Sequence, residues 1–261
     1  MKHKKSLGQH FLKDQIILDE IAESANINQD DCVWEIGPGT GYLTDHLIKR
    51  NIKPLCFEVD KDLWPYLREK YKTNIDLIEK DILKVNWKEY LQDKQVKIVA
   101  NLPYQITSPF LFKVIDHYSS FDLLVVMIQK EVAKRICSLP DKKDYGILSL
   151  KIQYYYNAEI LFNVGPEKFD PPPKVDSSVI RLTPRKNKPE IEDLKLFWRI
   201  VETAFRTRRK MLRNNLRSFK YSIEFSEIDK KSPIDFNRRG ETLSEADFIC
   251  LYDFLRPFIV G

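Results

Sequence analysis

Residues 33–41 restrict the fold of this chain more than any other stretch. They read Val33-Trp34-Glu35-Ile36-Gly37-Pro38-Gly39-Thr40-Gly41. The first four are mostly apolar and read as a buried strand. Three glycines at alternate positions then allow a tight turn and a close approach of backbone to a ligand. A helix-like run, 42–49, follows. Strand, glycine loop and helix in that order predict a ligand-binding turn at the carboxyl end of a first parallel strand, in an open α/β sheet. A pyrophosphate-binding turn would read GxGxxG. This one reads ExGxGxG, with an acid ahead of the loop, which suits a different ligand.

The next strands add acceptors. Residues 53–60 predict a second strand with Glu58 near its tip, and an acid there can accept both hydroxyls of a ribose. Asp60 is the expected cap of a helix over 61–71. A third short strand over 76–79 leads to Asp81, a candidate acceptor for the exocyclic amine of an adenine. Acids at the tips of successive strands suit a ligand with several donors and a positive centre. S-adenosylmethionine has a ribose diol, an adenine amine, an ammonium and a sulfonium, and is the expected cofactor.

A fourth strand over 96–100 ends in Asn101-Leu102-Pro103-Tyr104. Its position at a strand tip is right for chemistry. The Asn101 side-chain oxygen can accept one N–H of a planar amine, and the adjacent backbone carbonyl, stiffened by Pro103, can accept the other. Tyr104 offers a face for a base. Beyond it the pattern predicts a helix over 107–118, a fifth strand over 121–128, a helix over 130–136, a polar loop over 138–146 and a sixth strand over 154–164. Three prolines, Pro171 to Pro173, stiffen the next loop and fix Phe169 as a second aromatic beside the substrate base. A seventh strand over 175–182 follows a short loop and is expected to be antiparallel.

The 261 residues allow a large domain and a small one, with the boundary expected at the polar stretch after 183: a catalytic domain over 1–183 and a helical domain over 184–261. Four cysteines lack CxxC spacing and four histidines lack HxH or HExxH spacing, so no metal site is expected. No apolar run reaches membrane-spanning length, and no apolar stretch follows the basic start, so neither a membrane anchor nor a signal peptide is expected. Reduced thiols and a cytoplasmic location fit this pattern. The formal charge of +5 permits a nucleic-acid partner. Positive charge concentrates at Lys4 and Lys5 in an N-terminal arm, and at Arg206, Arg208, Arg209, Lys210, Arg213 and Arg217. Phe205, Met211, Leu212 and Leu216 interleave the second group, which predicts a helical pair over 194–221 with an anchored apolar side and a phosphate-tracking basic side.

Taken together, the stretches KSLGQHFL (5–12), EIGPGTGYLT (35–44), FEVD (57–60), Asn101 to Tyr104, FDPPPKVDSSVIRL (169–182), AFRTRRKMLRNNL (204–216) and RGETLS (239–244) span nearly the whole chain. In this combination it resembles the bacterial small-subunit (16S) ribosomal RNA adenine N6,N6-dimethyltransferases. The resemblance implies a class I S-adenosylmethionine-dependent methyltransferase: a Rossmann-like seven-stranded sheet with the last strand antiparallel, and a small all-helical C-terminal domain. It implies cofactor contacts at His10, Leu12, Gly37, Glu58, Asp81 and Asn101, and a catalytic group of Asn101, Leu102, Pro103, Tyr104 and Phe169. The implied reaction dimethylates two adjacent adenines in a loop near the 3′ end of small-subunit RNA, in an immature 30S particle, by a monomeric enzyme. Two other functions share these motifs: a large-subunit (23S) adenine N6-methyltransferase of the macrolide-resistance type, and an assembly factor that needs no catalysis. A nucleotide-dependent dehydrogenase fails on glycine spacing and leaves Asn101 to Tyr104 without a role.

Overall fold

The structure is a computed structural model that describes residues 8–91 and 94–260. Lys4 and Lys5 lie outside the described residues. The chain divides into two compact units, one of residues 1–134 and 155–185, the other of residues 135–154 and 186–261.

The first unit is built on a seven-stranded sheet. Strand β1 (Phe11–Leu12) and helix α1 (Gln15–Ser24) precede it. Then come β2 (Cys32–Ile36), α2 (Tyr42–Ile48), β3 (Leu55–Phe57), α3 (Trp64–Tyr71), β4 (Asp76–Ile78), α4 (Lys88–Leu91) and β5 (Val96–Asn101). Helix α5 (Thr107–Asp116), β6 (Phe121–Gln129) and α6 (Lys130–Ile136) follow. Helix α7 (Ile147–Tyr155) belongs, but for its last residue, to the second unit, and β7 (Tyr156–Val164), β8 (Phe169–Asp170) and β9 (Ser177–Pro184) complete the first. The spatial order is β4-β3-β2-β5-β6-β9-β7. All pairs are parallel except those made by β9, which runs antiparallel to both β6 and β7. The order reverses beside β2, so the tips of β2, β3, β4 and β5 open onto one crevice, where ligands of such sheets collect.

Burial explains the strands. Val96, Ile98, Val99 and Ala100 are fully buried, as a central parallel strand requires. Trp34 on β2 packs its ring against Phe57, Trp87 and Phe121. Asp14 caps α1 by accepting the amides of Ile16 and Ile17. Helix α3 begins at Trp64 rather than at 61, and Asp60 does not cap it. Pro65 sets the start, since proline favours the first helical turn, while Asp60 accepts the Asp62 amide and the Gln9 side chain instead. The strand expected from 154 begins at Tyr156, because Tyr154 and Tyr155 complete α7. That helix is buried at Leu150, Ile152 and Tyr154, so it carries no clean amphipathic period.

In the second unit, α8 (Leu194–Phe205), α9 (Leu212–Leu216), α10 (Phe225–Lys231) and α11 (Glu245–Leu255) enclose a core that includes Phe197, Ile200, Leu216, Phe236, Phe248 and Leu251. Ser244 and Asp247 form a reciprocal capping box on α11. The basic stretch 206–217 is not one helix. Residues 206–210 are turn, and only α9 is helical. The break has a cause: the Asn215 side chain donates to the carbonyls of Ala204 and Thr207, satisfying the end of α8. Leu212 and Leu216 are buried as anchors, but Met211 is 43% exposed and does not serve as one.

Candidate active site

The crevice at the strand tips holds a cavity within the first unit. His10, Gly37, Glu58, Asp81, Asn101, Leu102, Pro103, Tyr104 and Phe169 all line it. Leu12 does not. It lies 2% exposed on a smaller adjoining cavity with Glu35, Thr40 and Asn101.

The glycine loop is the floor. Gly37 and Gly39 adopt φ of 69° and 60°, which only glycine takes at little cost. A Cβ on Gly39 would lie 2.6 Å from the Phe11 ring, so the N-terminal segment rests directly on the bare backbone. The same segment is fastened at three further points. Gln9 donates to Asp60 at 2.7 Å, His10 Nδ1 bonds the Pro171 carbonyl at 2.7 Å, and β1 pairs with β8. Because the Pro171 carbonyl can only accept, His10 Nδ1 carries the proton in that bond.

Glu58 is 4% exposed, and its two oxygens accept the amides of Gly39 at 3.0 Å and Asp60 at 2.8 Å. Burial nevertheless raises its pKa, with those two amides opposing the rise. Each oxygen keeps an acceptor direction for a hydroxyl. Asp81 sits beyond β4 with one oxygen held by the Leu83 amide at 2.9 Å. Asn101 Nδ2 donates to the His10 carbonyl at 3.2 Å. That bond turns the amide so that Oδ1 is the free acceptor, the orientation the sequence reading requires. Tyr104 is anchored by a 2.7 Å hydrogen bond between its hydroxyl and Ser177, and its ring stacks on His10 with centroids 5.8 Å apart. Burial raises the Tyr104 pKa, so the phenol stays protonated. Phe169 is 5% exposed.

The donor set tests the cofactor. Glu58 and Asp81 face the cavity with Lys80 as the only cation on its wall among the described residues. Anionic phosphates would meet this acidic set badly, whereas a ribose diol, an amine and a cationic centre fit it. Ile36, Phe57, Val59 and Ile82 supply the apolar wall for a base. The residues present fit S-adenosylmethionine.

Glu35 stands behind the loop, 1% exposed, and accepts a weak 3.6 Å contact from the Cys56 thiol. Burial raises its pKa to about 8. The folded state therefore holds this proton in a pH range where the unfolded chain has lost it. Below about pH 4.5 both states are protonated; between there and about pH 8 the carboxyl subtracts stability as pH rises. The cost is at most about 1.4 kcal/mol per pH unit. Glu35→Gln should remove this component. Denaturant unfolding of parent and variant across pH 5–8 checks it, and a stability difference that stays constant with pH contradicts it.

The basic residues divide into two sets in the second unit. Arg208 pairs with Glu241 and also donates to the carbonyls of Lys143 and Tyr145, and Arg213 pairs with Asp229 at 3.4 Å. These two are engaged within the unit. Arg206, Arg209 and Lys210 are exposed and show no ion pair among the described residues. Arg217 is exposed with its guanidinium 5.6 Å from the Phe225 ring centroid. The charge run alone could not separate the sets, because Glu241 and Asp229 are distant in sequence.

Gln9, Phe11, Lys80 and Ile82 line the cavity and were not among the expected site residues. Gln9 and Phe11 neighbour His10 in an unusual polar–aromatic stretch, which was their one signal. Lys80 and Ile82 flank Asp81 and carry no pattern of their own.

A family profile described as ribosomal RNA adenine dimethylase matches residues 1–255. A ribosomal RNA small subunit methyltransferase A of Clostridium botulinum (strain Kyoto / Type A2) is 44% identical over 97% of this chain and 96% of its own length. The protein of that name from Alkaliphilus oremlandii is 43% identical over 95% of this chain and 90% of its own. Among solved structures, a dimethyladenosine transferase from Plasmodium falciparum superposes with a TM-score of 0.79 at 25% identity, over 96% of this chain and 100% of that one. The 23S rRNA methyltransferase ErmE gives 0.71 at 25% identity, over 94% and 99%.

Proposed function

The chain belongs to the ribosomal RNA adenine dimethylase family, and from that premise we infer how its own residues carry out the reaction. It is an S-adenosylmethionine-dependent methyltransferase of small-subunit ribosomal RNA, converting adenine to N6,N6-dimethyladenine. The share of identity with the small-subunit relatives, 44% against 25% for ErmE, favours that RNA over large-subunit RNA.

The observation that carries the mechanism is the Asn101 amide, locked by the His10 carbonyl with Oδ1 left free. S-adenosylmethionine supplies an electrophilic methyl carbon on a sulfonium. The chain's task is to make a nucleophile of adenine N6, whose lone pair is delocalised into the ring. Asn101 Oδ1 and the Leu102 carbonyl accept the two N6 hydrogens and favour pyramidal nitrogen as the bond forms. These bonds strengthen as N6 gains positive charge, so they act mainly in the transition state. Pro103 stiffens that carbonyl. Tyr104 supplies the stacking face, worth about 1–3 kcal/mol per base, and Phe169 backs the opposite side. The adenine must leave its stack to reach the cavity, which costs less from a loop than from a duplex. Glu58 would hold the ribose, Asp81 the cofactor's adenine amine, and Gly37 and His10 the methionine end, with Leu12 behind them on the adjoining cavity.

The finer assignments follow the family. The targets are two adjacent adenines in a loop near the 3′ end, in an immature 30S particle, and the enzyme acts as a cytoplasmic monomer. Among the described residues no helix is long and apolar enough to cross a membrane. Residues 1–183 serve catalysis and 184–261 contact RNA, with Lys4 and Lys5 reaching phosphates from the N-terminal arm. Arg206, Arg209, Lys210 and Arg217 are the phosphate contacts of the basic turn, while Arg208 and Arg213 shape it. Neutralising Arg206, Arg209 and Lys210 together should flatten the slope of log affinity against log salt by about 2. Filter binding of small-subunit RNA at several salt concentrations checks this, and an unchanged slope contradicts it.

A further inference from the structure

Helix α5 continues directly from the Asn101–Tyr104 loop through a single turn at Tyr104–Ile106. Lys113 lies on it and has no carboxylate in ion-pair reach among the described residues. Its ammonium instead donates to three backbone carbonyls: Ile82 at 3.1 Å, Leu83 at 2.9 Å and Val85 at 2.7 Å. The Trp87 ring lies 5.0 Å away, and its indole N–H also donates to the Ile82 carbonyl. These carbonyls belong to the turn that begins at Asp81. Within that turn the Asp81 carboxylate takes the Leu83 amide, and the Asp81 carbonyl takes the amides of Lys84 and Val85. Pointing three carbonyls at one place is unfavourable unless a donor collects them. A compact ammonium with three rotatable donors meets that need; a planar guanidinium does not.

We propose that Lys113 is a positioning residue for the adenine end of the cofactor: by gathering the carbonyls of Ile82, Leu83 and Val85 it fixes the Asp81–Ile82 wall of the cavity to the helix that carries the transfer loop. The inference rests on the assignment of the cavity to S-adenosylmethionine. Lys113 touches neither substrate nor cofactor. It acts through Asp81, whose carboxylate orientation depends on the turn.

The test is calorimetric binding of S-adenosylmethionine, S-adenosylhomocysteine and adenosine to the full chain and to Lys113→Met and Lys113→Arg, with thermal unfolding of each. Lys113→Met should lose affinity for all three ligands by the same factor, about tenfold, the size of one charge-assisted hydrogen bond. In steady state KM for the cofactor should rise by that factor with kcat retained. Lys113→Arg should not restore binding. In an Asp81→Asn background, Lys113→Met should add little, since both act on one contact. Unchanged affinity in a folded Lys113→Met protein overturns the proposal, as does full additivity with Asp81→Asn. A fall in kcat that merely tracks a lowered unfolding temperature overturns it too, because general destabilisation does not divide KM from kcat. If Lys113→Met does not fold, the Asp81→Asn pair is made with Lys113→Gln and judged by the same additivity. A parent chain that binds none of the three ligands removes the cofactor assignment as well; a parent that binds while the variant is unaltered removes only the role of Lys113.

Discussion

Asn101→Ala is expected to lower kcat by about 10²–10³-fold, the usual cost of removing one preorganised polar group that acts on developing charge. Its effect on S-adenosylmethionine affinity should be far smaller. The reason lies in how the side chain is held. Nδ2 is spent on the His10 carbonyl, so Oδ1 is aimed rather than mobile. Truncation removes that acceptor and loosens the segment above it, whereas the ribose and adenine acceptors remain on Glu58 and Asp81. Asn101→Asp gives a second reading, because it keeps an acceptor but loses the donor to His10. Single-turnover methyl transfer with saturating cofactor separates these effects. A rate within a few-fold of the parent for Asn101→Ala would show that N6 is activated without this group.

Glu58→Ala should reduce cofactor affinity by about two orders of magnitude, since it deletes the acceptor for a ribose diol and charged hydrogen bonds are worth about 1.5–3 kcal/mol each. The same truncation leaves the Gly39 and Asp60 amides without their partner. The glycine loop then loses its brace as well as the ligand contact. Glu58→Gln should recover part of the loss, as it keeps one carbonyl acceptor. Isothermal calorimetry reads this directly; equal affinity for Glu58→Ala and the parent contradicts the ribose assignment.

The succession of the sheet strands along the chain and the glycine turn were legible in the sequence because both depend on local chemistry. Alternate glycines permit the positive φ that Gly37, Gly39 and Gly41 adopt, and unbroken apolar runs suit strands buried on both faces. Acids at strand tips declared Glu58 and Asp81 for the same reason. What was not legible depends on partners remote in sequence. Nothing local reveals that Glu241 and Asp229 engage Arg208 and Arg213, or that Asn215 ends α8 and sets the turn between it and α9. Asp60 reads as a helix cap until Gln9 is seen to use it. Lys113 reads as one more helical lysine until three carbonyls of another loop are placed around it. The N-terminal segment is the intermediate case: its mix of polar and aromatic residues is unusual, but only the fold shows Phe11 lying on Gly39.

This chain dimethylates adenine N6 in small-subunit RNA. The most direct measurement offers labelled S-adenosylmethionine with under-methylated small subunits and, in parallel, with large-subunit RNA, and identifies the products by nucleoside mass spectrometry. N6,N6-dimethyladenine in the small-subunit RNA alone is the expected result. Label confined to large-subunit RNA, or tight binding to small subunits with no methyl transfer, would contradict it.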